Sequence, residues 1–222
     1  MKNILLPKIF QPFQCDDIIR LGKDHDGGYL VNYADVVKSK KLFSFGTGAD
    51  ISFEKDFTRL NDVEVQSFDK TQSDDNVSFY KEGRTHRYEN IDKENIKSFL
   101  EDSKDCFLKC DIDGGEYEIL DYLISNSHKF TGAAIEFHDV SRPQRFNQLT
   151  NFISKFGLRL VHTHINNYAY MVDEETQTYF VDVIELSFSS SRENTFFSNE
   201  LVLPHKFDTA NNPHDEEFRI LF

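Results

Sequence analysis

Three short apolar segments of this sequence are each followed by two acidic or histidine residues, two positions apart. These residues are Asp111 and Asp113, Glu136 and His138, and His162 and His164. If the segments are neighbouring parallel strands, their carboxyl ends lie along one edge of the sheet, where these side chains can converge. Carboxylates and imidazoles together can bind a divalent metal or remove the proton of a hydroxyl group. We therefore expect a functional cluster at this edge.

Each pair also has a structural explanation. Asp113 can cap the following helix, with Glu116 completing a capping box. A single histidine is more often structural than catalytic. Asp111 has no such explanation, because it ends an apolar strand, where a charge without a partner is costly.

A turn with two glycines precedes a predicted helix in the segment FSFGTGADISFE. Gly46 and Gly48 permit a tight turn and let a ligand approach the backbone closely. Asp50 and Ser52 begin the helix, and either can act as its N-cap. The third glycine of a dinucleotide-binding pattern is missing, and the acidic helix start would repel a pyrophosphate. A ligand with a cationic or neutral group fits better.

Asp69 ends a second predicted strand, 21 residues after Gly48. In nucleoside-binding α/β folds, an acidic residue at about this distance accepts hydrogen bonds from ribose hydroxyls. A solvated carboxylate in a turn is the alternative. Lys70 follows directly. Tyr29 follows the predicted turn Asp26-Gly27-Gly28. A hairpin or a loop is sufficient to explain this sequence.

The elements that must position these residues alternate along the chain. Strands are predicted at residues 42–45, 63–68, 76–80, 106–112, 133–137, 158–164 and 179–188. Helices are predicted at residues 52–60, 90–100, 116–124 and 145–156, with Gly157 closing the last of them. This alternation predicts an α/β fold whose mostly parallel sheet is covered by helices on both faces.

Length and composition suggest one domain over residues 1–222. Residues 1–40 are interpreted as an N-terminal cap or helical extension, and residues 198–222 as an irregular tail. With 25 basic and 38 acidic residues, the net charge of −13 argues against binding to nucleic acid or anionic membranes. The apolar stretches are too short to span a bilayer, and no signal peptide is evident. We expect a cytoplasmic protein with three reduced cysteines, and an oligomer is compatible with the sequence.

The segment LKCDIDGGEYEIL resembles the signature Lys-x-Asp-x-Glu-Gly-x-Glu-x-x-x-Leu of the FkbM-type S-adenosylmethionine-dependent methyltransferases. The matching residues are Lys109, Asp111, Gly114 and Leu120. Asp113 replaces the usual Glu, and Gly115 is unusual before Glu116. The segments RLGKDHDGGYLV, SFGTGADISFE and HTHINN are similar to a related methyltransferase-like branch, so the resemblance extends over about residues 20–170.

This resemblance implies a Rossmann-like methyltransferase fold with seven strands, the last of them antiparallel. It implies that S-adenosylmethionine is held by the loop after the first strand and by an acid after the second. The implied cofactor-binding residues are Gly46, Gly48, Asp50, Ser52, Asp69, Lys70, Asp111 and Tyr29. Members of the family mostly methylate hydroxyl groups, often on sugars or other polar intermediates, so we expect a hydroxyl acceptor in a small molecule or glycan.

Two mechanisms fit these residues. In the first, neutral His138 removes the hydroxyl proton near pH 7, with Asp111 and Glu136 as further catalytic residues. In the second, Mg²⁺ or Mn²⁺ held by Asp113 or Asp111 together with Glu136 and His164 lowers the pKa of the hydroxyl. The metal-free base is preferred, because magnesium sites are dominated by oxygen ligands.

Two other classes of function stay open. An acidic cleft also suits an N-methyltransferase that modifies a protein side chain. The other class is a non-catalytic protein of the same fold that binds a metal or a nucleoside.

Overall fold

The computed structural model describes residues 1–71, 76–173, 175–176, 178–192, 195–196 and 201–222. Its strands are β1 (Lys2–Leu5), β2 (Gln14–Cys15), β3 (Ile18–Leu21), β4 (Tyr29–Asn32), β5 (Lys41–Phe45), β6 (Glu64–Phe68), β7 (Arg84–Arg87), β8 (Cys106–Cys110), β9 (Phe130–Phe137), β10 (Arg159–Ile165), β11 (Tyr170–Asp173), β12 (Thr178–Val181), β13 (Ile184–Ser189), β14 (Thr195–Phe196) and β15 (Phe218–Leu221). Its α-helices are α1 (Tyr33–Lys38), α2 (Ser52–Leu60), α3 (Ile96–Leu100), α4 (Glu116–Ser125) and α5 (Pro143–Lys155).

Seven strands form the central sheet in the order β10-β13-β9-β8-β5-β6-β7. Strand β5 pairs in parallel with β6 and β8, and the parallel pairing continues to β7 on one side and β9 on the other. Strand β13 runs antiparallel to both β9 and β10. The mostly parallel seven-stranded sheet is confirmed, as is the antiparallel last strand that the resemblance implied.

Side chains of β8 alternate between two hydrophobic clusters, one on each face of the sheet. Cys106, Leu108 and Cys110 pack in the cluster that contains residues of α3, α4 and α5. Phe107 packs in the cluster that contains residues of α1 and α2. Lys109 follows Phe107 by two positions, so the period of the strand places it on the α2 side. The helices therefore cover both faces of the sheet, as predicted.

The predicted strand at residues 76–80 is wrong. Those residues form turns, in which Asn76 Nδ2 donates to Ala49 O and Phe79 packs beside α2. The third strand of the sheet is β7 instead, at the edge. Its residues are polar or charged and none is buried, so the apolar pattern that marks the other strands is missing.

Three other boundaries differ from prediction. The helix expected over residues 90–100 begins at Ile96, because Asp92 Oδ1 accepts the N–H groups of Glu94 and Asn95 in a turn. The strand expected at residues 179–188 is two strands, β12 and β13, and β12 pairs with β11 outside the central sheet. Helix α5 is closed by Phe156 in an extended conformation rather than by Gly157.

The chain termini are more regular than predicted. Residues 1–40 contain four strands and only one short α-helix, so the helical extension is wrong. Strands β3 and β4 form an antiparallel hairpin around residues 22–28, which we call the hairpin loop. In the tail, β15 pairs in parallel with β1, so residues 201–222 are not wholly irregular, while residues 198–200 lie outside the described part.

In the described parts of the chain, none of the helices combines the length and the apolar character that crossing a bilayer requires.

We predict that Gly46→Ala destabilises the fold far more than Gly48→Ala. Both glycines have positive φ, at 73° and 54°. A Cβ on Gly46 would lie 1.5 Å from Asp111 O, whereas one on Gly48 meets no atom within 4 Å. Urea denaturation should show a loss of about 1–2 kcal/mol for Gly48→Ala and of more than about 3 kcal/mol for Gly46→Ala. Equal losses would contradict this close approach.

Candidate functional site

Two adjoining cavities lie at the carboxyl ends of the parallel strands. The first, the glycine-loop cleft, has a volume of about 210 Å³ and is lined by Gly46, Gly48 and Asp69 among others. The second, the histidine cavity, has a volume of about 420 Å³ and is lined by His138 and others. Asp26, Asp111 and Asp113 line both cavities, which places the two beside each other.

A buried lysine holds the glycine loop against the end of β8. Lys109 Nζ donates to Gly46 O at 2.6 Å and lies 3.6 Å from Asp111 Oδ2. Burial disfavours the ammonium, but Asp111, Glu54 and Glu136 outweigh it and raise the pKa of Lys109. Lys109 therefore holds both the glycine loop and the catalytic candidate Asp111 in place.

Asp69 faces the glycine-loop cleft as a half-buried carboxylate. Its Oδ2 accepts the Gly48 N–H at 2.8 Å, and its Oδ1 accepts the Thr71 N–H at 2.7 Å. Burial opposes ionisation, but the bonds from Thr71 and Gly48 outweigh it and lower the pKa of Asp69. Thr71 Oγ1 also donates to Oδ1, at 2.6 Å, so the remaining acceptor position for a hydroxyl group of a bound ligand lies on Oδ2.

Asp50 and Ser52 hold the hairpin loop at the start of α2. Ser52 Oγ accepts the Lys23 N–H at 2.9 Å, and Lys23 Nζ lies 3.1 Å from Asp50 Oδ2. Of these two predicted cofactor residues, Asp50 lines the cleft and Ser52 does not. Lys70 is exposed and lines neither cavity.

The buried side chain of Tyr29 contacts two of the predicted site residues, Asp111 and Glu136. Its hydroxyl lies 3.2 Å from Asp111 Oδ2 and 3.1 Å from Glu136 Oε2. Tyr29 is 2% exposed and lines neither cavity, so it orients these carboxylates. Burial, followed by the charges of Asp111 and Glu185, raises the pKa of Glu136 to about 8.

His138 lies among carboxylates at the edge of the sheet. Its Nε2 is 3.9 Å from Asp111 Oδ1, 3.9 Å from Asp113 Oδ1 and 3.8 Å from Glu136 Oε1. Burial lowers the pKa of His138, but Glu116, Glu136 and Asp111 outweigh it and raise the pKa to about 9. The raised pKa makes the imidazolium the main form of His138 near pH 7, where the neutral form was expected to be available.

Glu116 supports His138 in a way that the spacing of residues did not reveal. Its Oε1 accepts the His138 backbone N–H at 2.6 Å and lies 3.4 Å from His138 Nδ1. Its Oε2 accepts the Gly114 N–H at 2.9 Å, so one fully buried side chain joins the ends of β8 and β9. The signal was present in the family signature, where a Glu stands at this position.

Asn166 and Asp26 were also missed. Asn166 Nδ2 donates to Glu136 Oε1 at 3.0 Å, which leaves Glu136 with partners on both oxygens. Asp26 reaches the same region from the hairpin loop. These contacts depend on how β10 and the hairpin fold onto the sheet, which residue spacing does not show.

The predicted metal ligands Asp113, Glu136 and His164 are not brought together. Within the described ranges, the group whose ligand atoms lie within 4.8 Å of one another is Asp111, Asp113 and His138. Its two carboxylates and one imidazole match the types of ligand predicted. Asp113 is almost fully exposed and Asp111 lies deeper in the wall.

His164 belongs to a different, buried network. Its Nδ1 lies 3.2 Å from Glu185 Oε2, and its Nε2 lies 3.2 Å from Glu217 Oε2. In the strand register Glu185 stands between Glu136 and His164, so these two residues are about 10 Å apart across two strand spacings. Burial disfavours the imidazolium, but the bonds to Glu185 and Glu217 outweigh it and raise the pKa of His164. His162 likewise pairs with Asp208, at 2.9 Å.

A family model described as the methyltransferase FkbM domain matches residues 14–195. A comparison with curated proteins gives no match.

Several solved structures resemble the chain over about 70% of its length. The fibrillarin pre-rRNA processing protein of Methanococcus jannaschii is 14% identical, with 70% of this chain and 68% of that chain covered and a TM-score of 0.41. The precorrin-6y C5,15-methyltransferase of Geobacter metallireducens is 11% identical, with 71% and 85% covered and a TM-score of 0.42. Likenesses this distant carry no information on substrate.

We predict that His164→Gln destabilises the protein in a pH-dependent way. The raised pKa means that this histidine contributes stability below its unfolded pKa of about 6.5 and loses it as pH rises through the folded value. Near pH 6 the variant should lose about 3–5 kcal/mol of unfolding free energy, because two buried carboxylates lose their partner. Urea denaturation from pH 6 upward should show the deficit shrinking. Exposed His128→Gln is the control, and a deficit independent of pH would contradict the charged form.

Proposed function

Because the chain belongs to the FkbM methyltransferase family, we propose that it is an S-adenosylmethionine-dependent O-methyltransferase that acts on a hydroxyl group of a sugar, a similar polar small molecule or a glycan intermediate. The observation that carries the proposal is His138, which lies among carboxylates in a cavity beside the glycine-loop cleft.

The cleft fits the cofactor of this family. Gly48 leaves open space where a side chain would project, and ionised Asp69 offers one acceptor position, on Oδ2, for a ribose hydroxyl. The acidic start of α2, unsuited to a pyrophosphate, is compatible with S-adenosylmethionine, which has a sulfonium cation and no phosphate. When bound, this cofactor supplies an electrophilic methyl group.

The histidine cavity supplies groups that can bind the acceptor and take its proton. His138 accepts the hydroxyl proton once its own proton has left, and Glu116 fixes the orientation of the ring. Asp111 and Glu136, tied together by Tyr29, stabilise the imidazolium that forms. The two adjoining cavities would hold the reactants beside each other in a fixed orientation.

A second candidate function follows from the charge of the same cavity. The carboxylates of Asp26, Asp111 and Asp113 line it, together with Glu136, whose raised pKa of about 8 favours the protonated form near pH 7. Such a lining favours a cationic acceptor, so an N-methyltransferase acting on a protein side chain is the alternative. The net charge of −13 makes nucleic acid a poor acceptor for either function.

Incubation with methyl-labelled S-adenosylmethionine and three sets of acceptors separates these functions. Label on nucleotide sugars or polysaccharide fragments would support O-methylation, and label on protein lysine or arginine would support the alternative. Cofactor binding without transfer to any acceptor would instead favour a non-catalytic protein of the same fold.

We predict that His138→Gln lowers kcat roughly 10²–10⁴-fold while the affinity for S-adenosylmethionine changes little. In the unaltered enzyme, kcat/KM should rise with pH and level off above about 9, because a raised pKa keeps the base protonated below that value. Initial rates across pH, with His128→Gln as the control, test this. A profile already flat from pH 7 would exclude His138 as the base.

We also predict that the reaction needs no divalent metal. Exhaustive dialysis against EDTA should leave the rate within about twofold of the untreated enzyme, because His138 and Asp111 act without a Lewis acid. Loss of turnover that Mg²⁺ or Mn²⁺ restores would overturn this prediction. It would assign Asp111, Asp113 and His138 to a metal site, where the ion lowers the pKa of the hydroxyl.

A further inference from the structure

The glycine-loop cleft is strongly acidic, and this restricts how a zwitterionic ligand can lie in it. Its acidic lining residues are Asp26, Asp50, Glu54, Asp69, Asp111 and Asp113. S-adenosylmethionine has a sulfonium, an α-ammonium and an α-carboxylate. The two cationic groups are attracted by these walls, whereas the α-carboxylate is repelled unless it lies against a cation.

Two lysines are the cationic residues among the described ones that line the cleft. Lys109 is only 6% exposed, and its ammonium already contacts Gly46 O and Asp111 in the wall of the cleft. Lys23, from the hairpin loop, has a side chain that is 51% exposed, and its ammonium lies 3.1 Å from Asp50 Oδ2. An ammonium has three N–H donors, so Lys23 can keep this partner and bind another carboxylate.

Asp26 stands three residues further along the same loop, where the two cavities meet. Its Oδ1 lies 3.5 Å from Asn166 Nδ2 and 3.3 Å from Asn211 Nδ2, which are long contacts to neutral amides. Among the described residues, no lysine, arginine or histidine forms an ion pair with it. Asp26 is therefore suited to a cationic group of a ligand.

The hairpin loop is held in place before any ligand binds. Arg20 Nη2 donates to Lys23 O at 3.1 Å and His25 O at 2.8 Å. Gly22 N–H donates to Asp56 Oδ2 at 3.1 Å on α2, and His25 N–H donates to Thr209 Oγ1 at 2.8 Å in the tail. A loop fixed on both sides loses little entropy when it binds a ligand.

We propose that the hairpin loop binds the amino-acid end of S-adenosylmethionine, with Lys23 on the α-carboxylate and Asp26 on the α-ammonium. The inference rests on the proposed use of this cofactor. It assigns a binding function to a loop outside the central sheet, and it orients the methionine arm toward the junction of the two cavities.

Calorimetry with three ligands tests each contact separately. S-adenosylmethionine has both charged groups, its decarboxylated form keeps only the amine, and 5′-methylthioadenosine has neither. Lys23→Gln should weaken S-adenosylmethionine about 10- to 100-fold and leave the other two ligands unweakened, because only the first has the carboxylate. Asp26→Asn should weaken the first two ligands by a similar factor and leave 5′-methylthioadenosine unchanged.

Lys55→Gln is the matched control, since Lys55 is exposed on α2 and lines neither cavity. It should leave all three affinities within about twofold. If Lys23→Gln weakens all three ligands equally, or none, the assignment of the carboxylate is overturned while the proposed function stands. If the unaltered chain does not bind S-adenosylmethionine, the proposed function itself fails, and this inference with it.

Discussion

Buried Lys109 makes the two contacts on which the walls of both cavities depend. It joins the carbonyl of Gly46, at the end of β5, to the carboxylate of Asp111, at the end of β8. Beneath it, Glu54 accepts a hydrogen bond from Ser44, and its charge helps to keep Lys109 protonated. Without this cation, Asp111, Glu54 and Glu136 would lose the ammonium that their charges favour, and removing one partner from a buried group of charges is costly. The charge of Lys109 therefore helps to determine both the shape of the glycine loop and the position of Asp111.

That interaction is one end of a charged row that crosses the sheet on the α2 side. From β8 the row passes to Glu136 on β9, Glu185 on β13 and His164 on β10, and it ends at Glu217 in the tail. Its charges are compensated at Lys109 and at His164, and Glu136 lies between them with partners of its own. The tail contacts this row at two places, where Glu217 lies beside His164 and where Asn211 Nδ2 donates to Glu185 Oε1 at 2.6 Å. The charge of Glu185 in turn raises the pKa of Glu136. The C-terminal segment is part of the electrostatics of the site and not an appendage to it.

The sequence predicts the central elements well where burial of one face imposes a regular spacing on the apolar residues. Helix α2 occupies the predicted residues 52–60, because Phe53 and Phe57 must both face the sheet. The polar edge strand β7 gave no such signal, since its side chains are not buried. The grouping of His164 with Glu136 failed for a topological reason. Both lie at strand ends on one face, but β13 enters between their strands, and residue spacing cannot show which strand lies beside which.

The raised pKa of His138 has a consequence for the proposed reaction. In the proposed reaction, bound S-adenosylmethionine would supply a positive sulfonium and His138 would start as the neutral imidazole. His138 would then take the proton of the acceptor as the sulfonium charge is lost. The number of positive charges in the site would then be the same before and after transfer, which would limit the reorganisation of the groups around His138. The carboxylates that raise the pKa of His138 would also stabilise the imidazolium that forms if His138 is the base, and such a base would act from the small neutral fraction present at neutral pH.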